Sequence, residues 1–143
     1  MAHPAGGPSD ARAVWVARWF LRIAALAFAG IGAAFLTVPE TMGQFVGLSL
    51  AGTSADNDVR AVYGGLQLAC GALLVWASTQ PRWLRAGLAA QLLLFSGLAL
   101  GRFVSLGLVG PPESLGLALH AAELLGIALG GLCLRALPDG LER

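Results

Sequence analysis

The sequence predicts an all-α integral membrane protein, a four-helix bundle whose helices run up-down-up-down across the bilayer. Of the residues, 57% are hydrophobic and only 12% are charged, about half the charged share of a soluble domain. The mean hydropathy is +0.74. A run of about twenty apolar residues in a helix crosses the hydrocarbon core, and four such runs cover most of the chain. We place the spans near residues 14–36, 57–78, 83–107 and 114–136.

These spans predict a single domain over residues 12–137. Residues 1–11, rich in Pro, Gly and Ala, are predicted to form a disordered tail, in which His3 has no assigned role. Residues 138–143 form a C-terminal tail. The net charge is +1 and the sequence has no basic patch, which argues against a nucleic-acid partner.

The arginines predict the orientation of the helices. Those that flank the predicted spans are Arg12, Arg18, Arg22, Arg82, Arg85, Arg135 and Arg143. They fall at the start of the first span, in the connection between the second and third, and after the fourth. The other two connections are acidic and contain Glu40, Asp56, Asp58 and Glu113. By the positive-inside rule, both termini are cytoplasmic.

Four tryptophans support the same orientation. In an up-down bundle, Trp15, Trp19, Trp76 and Trp83 all fall at the interface that the arginines mark as cytoplasmic. Lysine is absent and Ala, Gly and Leu are abundant, a composition typical of bacterial proteins from genomes of high GC content. We therefore expect a multi-pass protein of a cell membrane, the bacterial inner membrane.

The first span also has features of a signal peptide. Arg22 precedes an apolar run that contains Ala25-Leu26-Ala27, a small-residue pattern like that of a cleavage site. The run continues to Pro39, however, and this length favours a retained helix. Because proline interrupts the hydrogen-bond ladder and disfavours helix in the residue before it, Pro39 is predicted to end the first helix.

The first connection is too short and too Gly-rich for another span. Met42, Phe45, Val46 and Leu50 could lie in the interface as a short amphipathic lid. Residues 54–58 are predicted to cap the second helix, and Glu113 the fourth. With no CxxC motif and no neighbour that would promote a thiolate, the two cysteines, Cys70 and Cys133, are predicted to be small buried hydrophobic residues without a disulfide.

Polar side chains recur at helical spacing inside three of the spans. Such residues cost several kcal/mol at bilayer depth, so they are expected to converge inside the bundle. The spacing predicts a polar pocket open to the outer side and closed below by Leu, Ala and Gly. The predicted ligand-binding residues are Arg60, Tyr63, Gln67, Arg102, Ser105, His120 and Glu123, with Gln91 deeper on the third helix.

A purely structural role for this cluster is the main alternative. Asp56 and Arg60 are spaced as an i, i+4 pair, and Arg102 could form an interhelical salt bridge with Glu123. Against this, Arg60 and Arg102 bring two positive charges and Glu123 one negative charge. Unless Asp56 turns inward, one positive charge is left for an anionic or strongly polar ligand. No second histidine lies in a span, so we predict no metal site and no cofactor.

The run Arg60-Ala-Val-Tyr63-Gly64-Gly65, followed by Gly101-Arg102-Phe-Val-Ser105, Pro112 and Glu123, resembles a bacterial membrane family. The family is known as domain of unknown function 4345, and its members resemble DoxX-type four-helix membrane proteins. The resemblance covers roughly residues 14–136. In the family pattern an Asp-Gly precedes the proline of the third connection, whereas this chain has Val109-Gly110 there. The resemblance supports the fold and the importance of the polar residues, and it implies no substrate.

Three functions follow from these features. The leading hypothesis is a small membrane protein that binds an amphipathic or anionic small molecule or lipid in the polar pocket. The second is a membrane-embedded isomerase or hydrolase with Glu123, Tyr63 and His120 as catalytic candidates and Glu123 as acid or base. The third is a structural subunit. The spacings Gly97-xxx-Gly101 and Gly126-xxx-Gly130 allow close helix packing and a homo-oligomer.

Overall fold

The computed structural model describes residues 7–141 and confirms the all-α fold class within them. His3 and Arg143 lie outside this range, as do the rest of residues 1–6 in the predicted N-terminal tail and Glu142 in the C-terminal one. The elements are α1 (Pro8–Thr37), α2 (Pro39–Phe45), α3 (Gly52–Val59), a π-helical segment (Arg60–Gly65), α4 (Leu66–Thr79), a 3-10 turn (Pro81–Trp83), α5 (Leu84–Val109) and α6 (Ser114–Ala136).

Four helices are long and apolar enough to cross a membrane. They are Pro8–Thr37, Gly52–Thr79, Pro81–Val109 and Ser114–Ala136. The second and third each join several of the elements above into one continuous helical stretch. The chain is therefore a multi-pass membrane protein, as the hydropathy predicted.

The helix boundaries agree with the prediction at Pro39 and differ from it at the predicted caps. α1 ends at Thr37, directly before the Val38-Pro39 pair. The second transmembrane stretch begins at Gly52 instead of within residues 54–58, and its N-cap is Ala51, which has no side-chain oxygen to accept a hydrogen bond. The predicted cap there is wrong, because residues 54–58 lie inside the helix, where the Asp56 carboxylate pairs with Arg60 one turn later. Glu113 does occupy the N-cap of α6, but its side chain makes no capping hydrogen bond.

The chain divides into two compact units. The central unit comprises residues 23–73, and the terminal unit comprises residues 1–22 together with 74–143. α1 and α4 each contribute to both units, since the division falls within these two helices. Cys70 of the central unit and Cys133 of the terminal unit carry free thiols.

In the central unit, the second half of α1 contacts the π-helical segment and α4 through glycine. A Cβ added to Gly32 would lie 2.8 Å from the Gly64 carbonyl oxygen and 2.9 Å from the Leu68 nitrogen. Gly71 approaches α1 as closely, because a Cβ there would lie 2.9 Å from the Ala25 carbonyl oxygen. The backbones of the two helices are thus in direct contact.

In the terminal unit, glycine receives side chains instead of backbone. Gly87 of α5 lies against the Ala77 methyl group and the Leu21 side chain. On α6, Gly126 lies under the Phe95 ring and Gly130 under the side-chain amide of Gln91. Gly97 and Gly101 of α5 have open space around the position of a Cβ, within the part of the chain described.

Candidate functional site

Arg102 and Glu123 form an ion pair between α5 and α6. The Arg102 Nε donates to both carboxylate oxygens of Glu123, each at 2.9 Å. The Glu123 side chain is 9% exposed, whereas the Arg102 side chain is 33% exposed. The carboxylate is therefore the inner partner, and the guanidinium is the outer one.

The two terminal nitrogens of Arg102 remain available. Neither nitrogen makes a hydrogen bond with any residue in the range 7–141, and neither is buried. Because the bond through Nε fixes the guanidinium plane, these nitrogens present up to four N–H donors in a fixed direction. The arrangement suits an acceptor oxygen of a carboxylate or phosphate group.

His120 lies beside this ion pair, three residues before Glu123 on α6. Its Nδ1 is 3.7 Å from Glu123 Oε2, which is too long for a hydrogen bond, and Nδ1 is buried without another partner among the described residues. The Phe103 ring meets the imidazole edge-on at a centroid distance of 4.5 Å. Phe103 thus positions the imidazole, a contact that the polar spacing alone did not reveal.

Ser105 follows Arg102 by one helical turn on α5 and is therefore on the same side of the helix. It is exposed and makes no hydrogen bond within the described part of the chain. The residues beyond it are apolar and exposed, including Leu108 and Val109, which are more than four-fifths exposed. At Gly110 the backbone has a φ of 104°, a left-handed conformation that glycine adopts without strain and that ends α5.

Gln91 forms a deeper polar contact between the same two helices. It is fully buried, and its Nε2 donates to the Gly126 carbonyl oxygen at 3.2 Å. Its Oε1 has no hydrogen-bond partner among residues 7–141 and lies over Gly130. Gln91 thus links α5 to α6 below the ion pair.

Arg60 occupies a different environment in the central unit. Its Nε donates to Asp56 Oδ2 at 2.8 Å, and the two side chains are 41% and 38% exposed. Its Nη1 donates to the Leu36 carbonyl oxygen near the end of α1. Since Asp56 does pair with Arg60, the predicted surplus of one positive charge is wrong. Both arginines have a carboxylate partner.

Tyr63 and Gln67 follow Arg60 at helical spacing, also in the central unit. The Tyr63 ring packs on Phe35 at a centroid distance of 5.2 Å, and its side chain is 40% exposed. The Gln67 Oε1 is buried without a partner in the described residues. Arg60 and Tyr63 both belong to the π-helical segment, a feature that often marks functional positions. That these residues share one pocket with those of α5 and α6 stays a prediction.

A surface cavity that sequence analysis missed lies in the central unit, at the connection after α1. Its volume is about 290 Å³, and its lining residues are Glu40, Gln44, Gly47, Leu48, Ser49 and Leu50. Phe45 and Val46, two members of the predicted amphipathic lid, are exposed beside it. No group of three or more His, Cys, Asp or Glu side chains within residues 7–141 is placed to hold a metal ion.

Comparison with known proteins identifies the family without adding an activity. No curated protein and no solved structure matches the chain. The sequence model of one family, described as domain of unknown function 4345, matches residues 16–134, which include the second and third transmembrane stretches and most of the first and fourth. The R-x-x-Y-G-G segment and the Arg102–Glu123 pair both lie within the match. The chain belongs to the DUF4345 family.

Proposed function

We propose that this membrane protein binds the polar headgroup of an amphipathic molecule, a carboxylate or a phosphate, at Arg102. The observation that carries the proposal is that only one nitrogen of the guanidinium is used within the protein: Nε donates to Glu123, and the two terminal nitrogens are accessible. The exposed apolar surface of α5 around them would contact the tail of the ligand.

Charge and burial support this assignment. Glu123 is on the inner side and Arg102 on the outer side of the pair, so the pair is a dipole with its positive end outward. An acceptor oxygen at that end gains charge-assisted hydrogen bonds in a surrounding of low dielectric. Ser105 on the same side of α5 offers one further hydroxyl donor.

A membrane-embedded isomerase or hydrolase is supported less well by the same geometry. An acid or base needs a carboxylate that is free to exchange a proton with the substrate, and both oxygens of Glu123 accept from Arg102. The observation in favour of proton chemistry is His120, whose buried Nδ1 has no hydrogen-bond partner in the described part of the chain. A ligand oxygen that reaches this nitrogen would satisfy it.

A structural role in a larger assembly is the third proposal. If the chain forms a homo-oligomer through glycine, Gly97 and Gly101 are the better candidates, because a Cβ built at either position has open space around it among the described residues. Gly126 and Gly130 already receive Phe95 and Gln91 of the same chain.

The test is native mass spectrometry of the protein purified in mild detergent, with Arg102→Lys beside the wild type. Lysine keeps a positive charge opposite Glu123 but lacks the planar pair of terminal nitrogens. The matched control is Arg135→Lys, the same change at an exposed position in the last turn of α6. We expect the wild type and Arg135→Lys to retain one small amphipathic molecule that Arg102→Lys loses at unchanged thermal stability.

Two results would contradict the proposal. Retention of the molecule by Arg102→Lys at wild-type occupancy would show that the terminal nitrogens do not bind it. A folded wild-type protein that retains nothing, and that takes up neither a fatty acid nor a lysophospholipid on titration, would leave the Arg102–Glu123 pair with the structural role alone.

A further inference from the structure

Arginine and tryptophan side chains concentrate at one end of the terminal unit, away from Arg102 in sequence. The end comprises the first half of α1, the last turns of α4, the 3-10 turn and the start of α5. Its arginine–tryptophan cluster consists of Trp15, Arg18, Trp19, Arg22, Trp76, Arg82 and Trp83.

Contacts within the terminal unit join several members of this cluster in pairs or fix them to a neighbouring helix. The Arg22 Nε donates to the Ser78 hydroxyl oxygen of α4 at 3.3 Å. The Trp76 and Trp83 rings are 5.0 Å apart between centroids. Arg18 precedes Arg22 by one helical turn and therefore lies on the same face of α1.

Two buried donors in the cluster have no acceptor. The Arg18 Nε and the Trp83 Nε1 are inaccessible and make no hydrogen bond with any residue that the structure describes. Buried N–H groups are almost always paired, and leaving one unpaired destabilises the folded state. Because no solvent reaches either atom, an acceptor oxygen from outside the chain can pair with them only when the side chains that cover them move aside.

The positive charge of the cluster is also largely unbalanced. Neither Arg18 nor Arg82 forms an ion pair with a carboxylate in residues 7–141, whereas the neighbouring Arg85 pairs with Asp139 at 3.0 Å. The guanidinium of Arg22 lies 5.1 Å from the Trp19 ring centroid, and that of Arg82 lies 5.6 Å from the Trp83 centroid. Such stacking places the cations without neutralising them.

We propose that the arginine–tryptophan cluster binds the headgroup phosphate of an anionic phospholipid. A phosphate supplies both the acceptor oxygens and the negative charge that the cluster lacks. The source is a lipid because the cluster borders exposed apolar helix surface: Trp15 is 61% exposed, Val16 is 42% exposed and Trp76 is 49% exposed. Tryptophan rings at this level lie among headgroups, and the apolar surface beyond them contacts acyl chains.

The experiment is a titration of the detergent-purified protein with phosphatidylglycerol, followed by native mass spectrometry, with phosphatidylcholine and inorganic phosphate as separate arms. The variants are Arg18→Gln and Trp83→Phe, which remove the charge and one N–H respectively. Arg12→Gln is the matched control, since it removes the same charge from an exposed position that does not lie on the Arg18–Arg22 face of α1.

We expect the wild type to bind phosphatidylglycerol about fivefold more tightly than phosphatidylcholine. Arg18→Gln is expected to weaken that binding about fivefold and Trp83→Phe about threefold, with less than about a twofold change in Arg12→Gln. Equal losses in Arg12→Gln and Arg18→Gln would mean diffuse attraction and would overturn the site. Saturation of the site by inorganic phosphate at the concentration of the lipid would overturn the lipid as its occupant. An unchanged affinity in both Arg18→Gln and Trp83→Phe would overturn the role of the two unpaired donors.

Discussion

The central and the terminal unit use the same two devices, an arginine–carboxylate pair and a glycine contact between helices, with different effects. In the central unit, Arg60 pairs with Asp56 one turn away on its own helical stretch. In the terminal unit, Arg102 pairs with Glu123 on another helix. The first pair forms whenever its helix forms, whereas the second forms only when α5 and α6 are in register.

The glycine contacts of the two units differ in whether the neighbouring helix contributes backbone or side-chain atoms. Gly32 of the central unit touches backbone atoms of its neighbour, whereas Gly126 and Gly130 of the terminal unit receive the side chains of Phe95 and Gln91. At Gly32 and Gly71 the helices of the central unit are in close backbone contact, and the Asp56–Arg60 pair is local to one helical stretch. The terminal unit is held by side chains that cross between helices, and its charged pair is part of that contact.

The largest expected effect comes from removing the carboxylate of the interhelical pair, and the matched change is removal of the carboxylate of the local pair. Glu123→Ala leaves the Arg102 guanidinium in apolar surroundings without its counter-ion, and we expect a loss of about 2–4 kcal/mol in the free energy of unfolding. Asp56→Ala should cost less than about 1 kcal/mol, because that pair is partly exposed and local. The measurement is reversible unfolding of both variants in mixed micelles with increasing dodecyl sulfate.

A double variant separates lost pairing from lost packing. Arg102→Met combined with Glu123→Leu removes both charges and should recover most of the stability lost in Glu123→Ala. A loss in Asp56→Ala as large as that in Glu123→Ala would contradict the distinction between a local and an interhelical pair.

The membrane spans and the Arg102–Glu123 pair were predictable because each follows from residue types and their positions along the chain. Hydropathy over about twenty residues predicts a span, and a buried arginine requires a nearby carboxylate. The spacing also predicted an i, i+4 pair of Asp56 and Arg60. The count of charges in the pocket nevertheless left out Asp56 and therefore gave one positive charge too many. The π-helical segment was not predictable in this way, since one additional residue in a turn changes no pattern of polarity.

Side-chain contacts to glycine were not predictable for a second reason. The sequence has 20 glycines, and the two GxxxG spacings look alike. Only the rotation of each helix decides that Gly126 receives Phe95 while Gly97 faces open space. That rotation follows from the packing of whole helices, which pairwise spacing does not specify.

An intermediate effect is expected from adding a methyl group to the two kinds of glycine contact. In Gly32→Ala the new Cβ meets the Gly64 oxygen and the Leu68 nitrogen, backbone atoms that cannot rotate away. We expect a loss of about 2–3 kcal/mol. Gly30→Ala, on the same helix with open space at its Cβ among the described residues, should be neutral or slightly stabilising because alanine favours helix.

The terminal unit should tolerate the same change better. In Gly126→Ala the new methyl group meets the Phe95 ring, which can change its rotamer, so the expected loss is about 1–2 kcal/mol. Gly131→Ala on the same helix is the control, with open space at its Cβ. Thermal unfolding in detergent would rank the variants, and a larger loss in Gly126→Ala than in Gly32→Ala would reverse the proposed difference between the units.

The smallest effect is expected at two glutamines whose side-chain oxygen is buried, one in each unit. Gln91→Met keeps the length and flexibility of the side chain while it removes the hydrogen bond to Gly126 and the unpaired Oε1 together. The lost bond and the relieved oxygen offset each other, so the net change should be below about 1 kcal/mol. Gln67→Met removes an unpaired oxygen in the central unit, with no hydrogen bond to lose among the described residues, and should leave stability unchanged or slightly raised. A loss above about 2 kcal/mol in Gln91→Met would mean that the Gln91 Oε1 has a hydrogen-bond partner in the membrane, such as a buried water. The polar contacts between α5 and α6 would then extend beyond the Arg102–Glu123 pair.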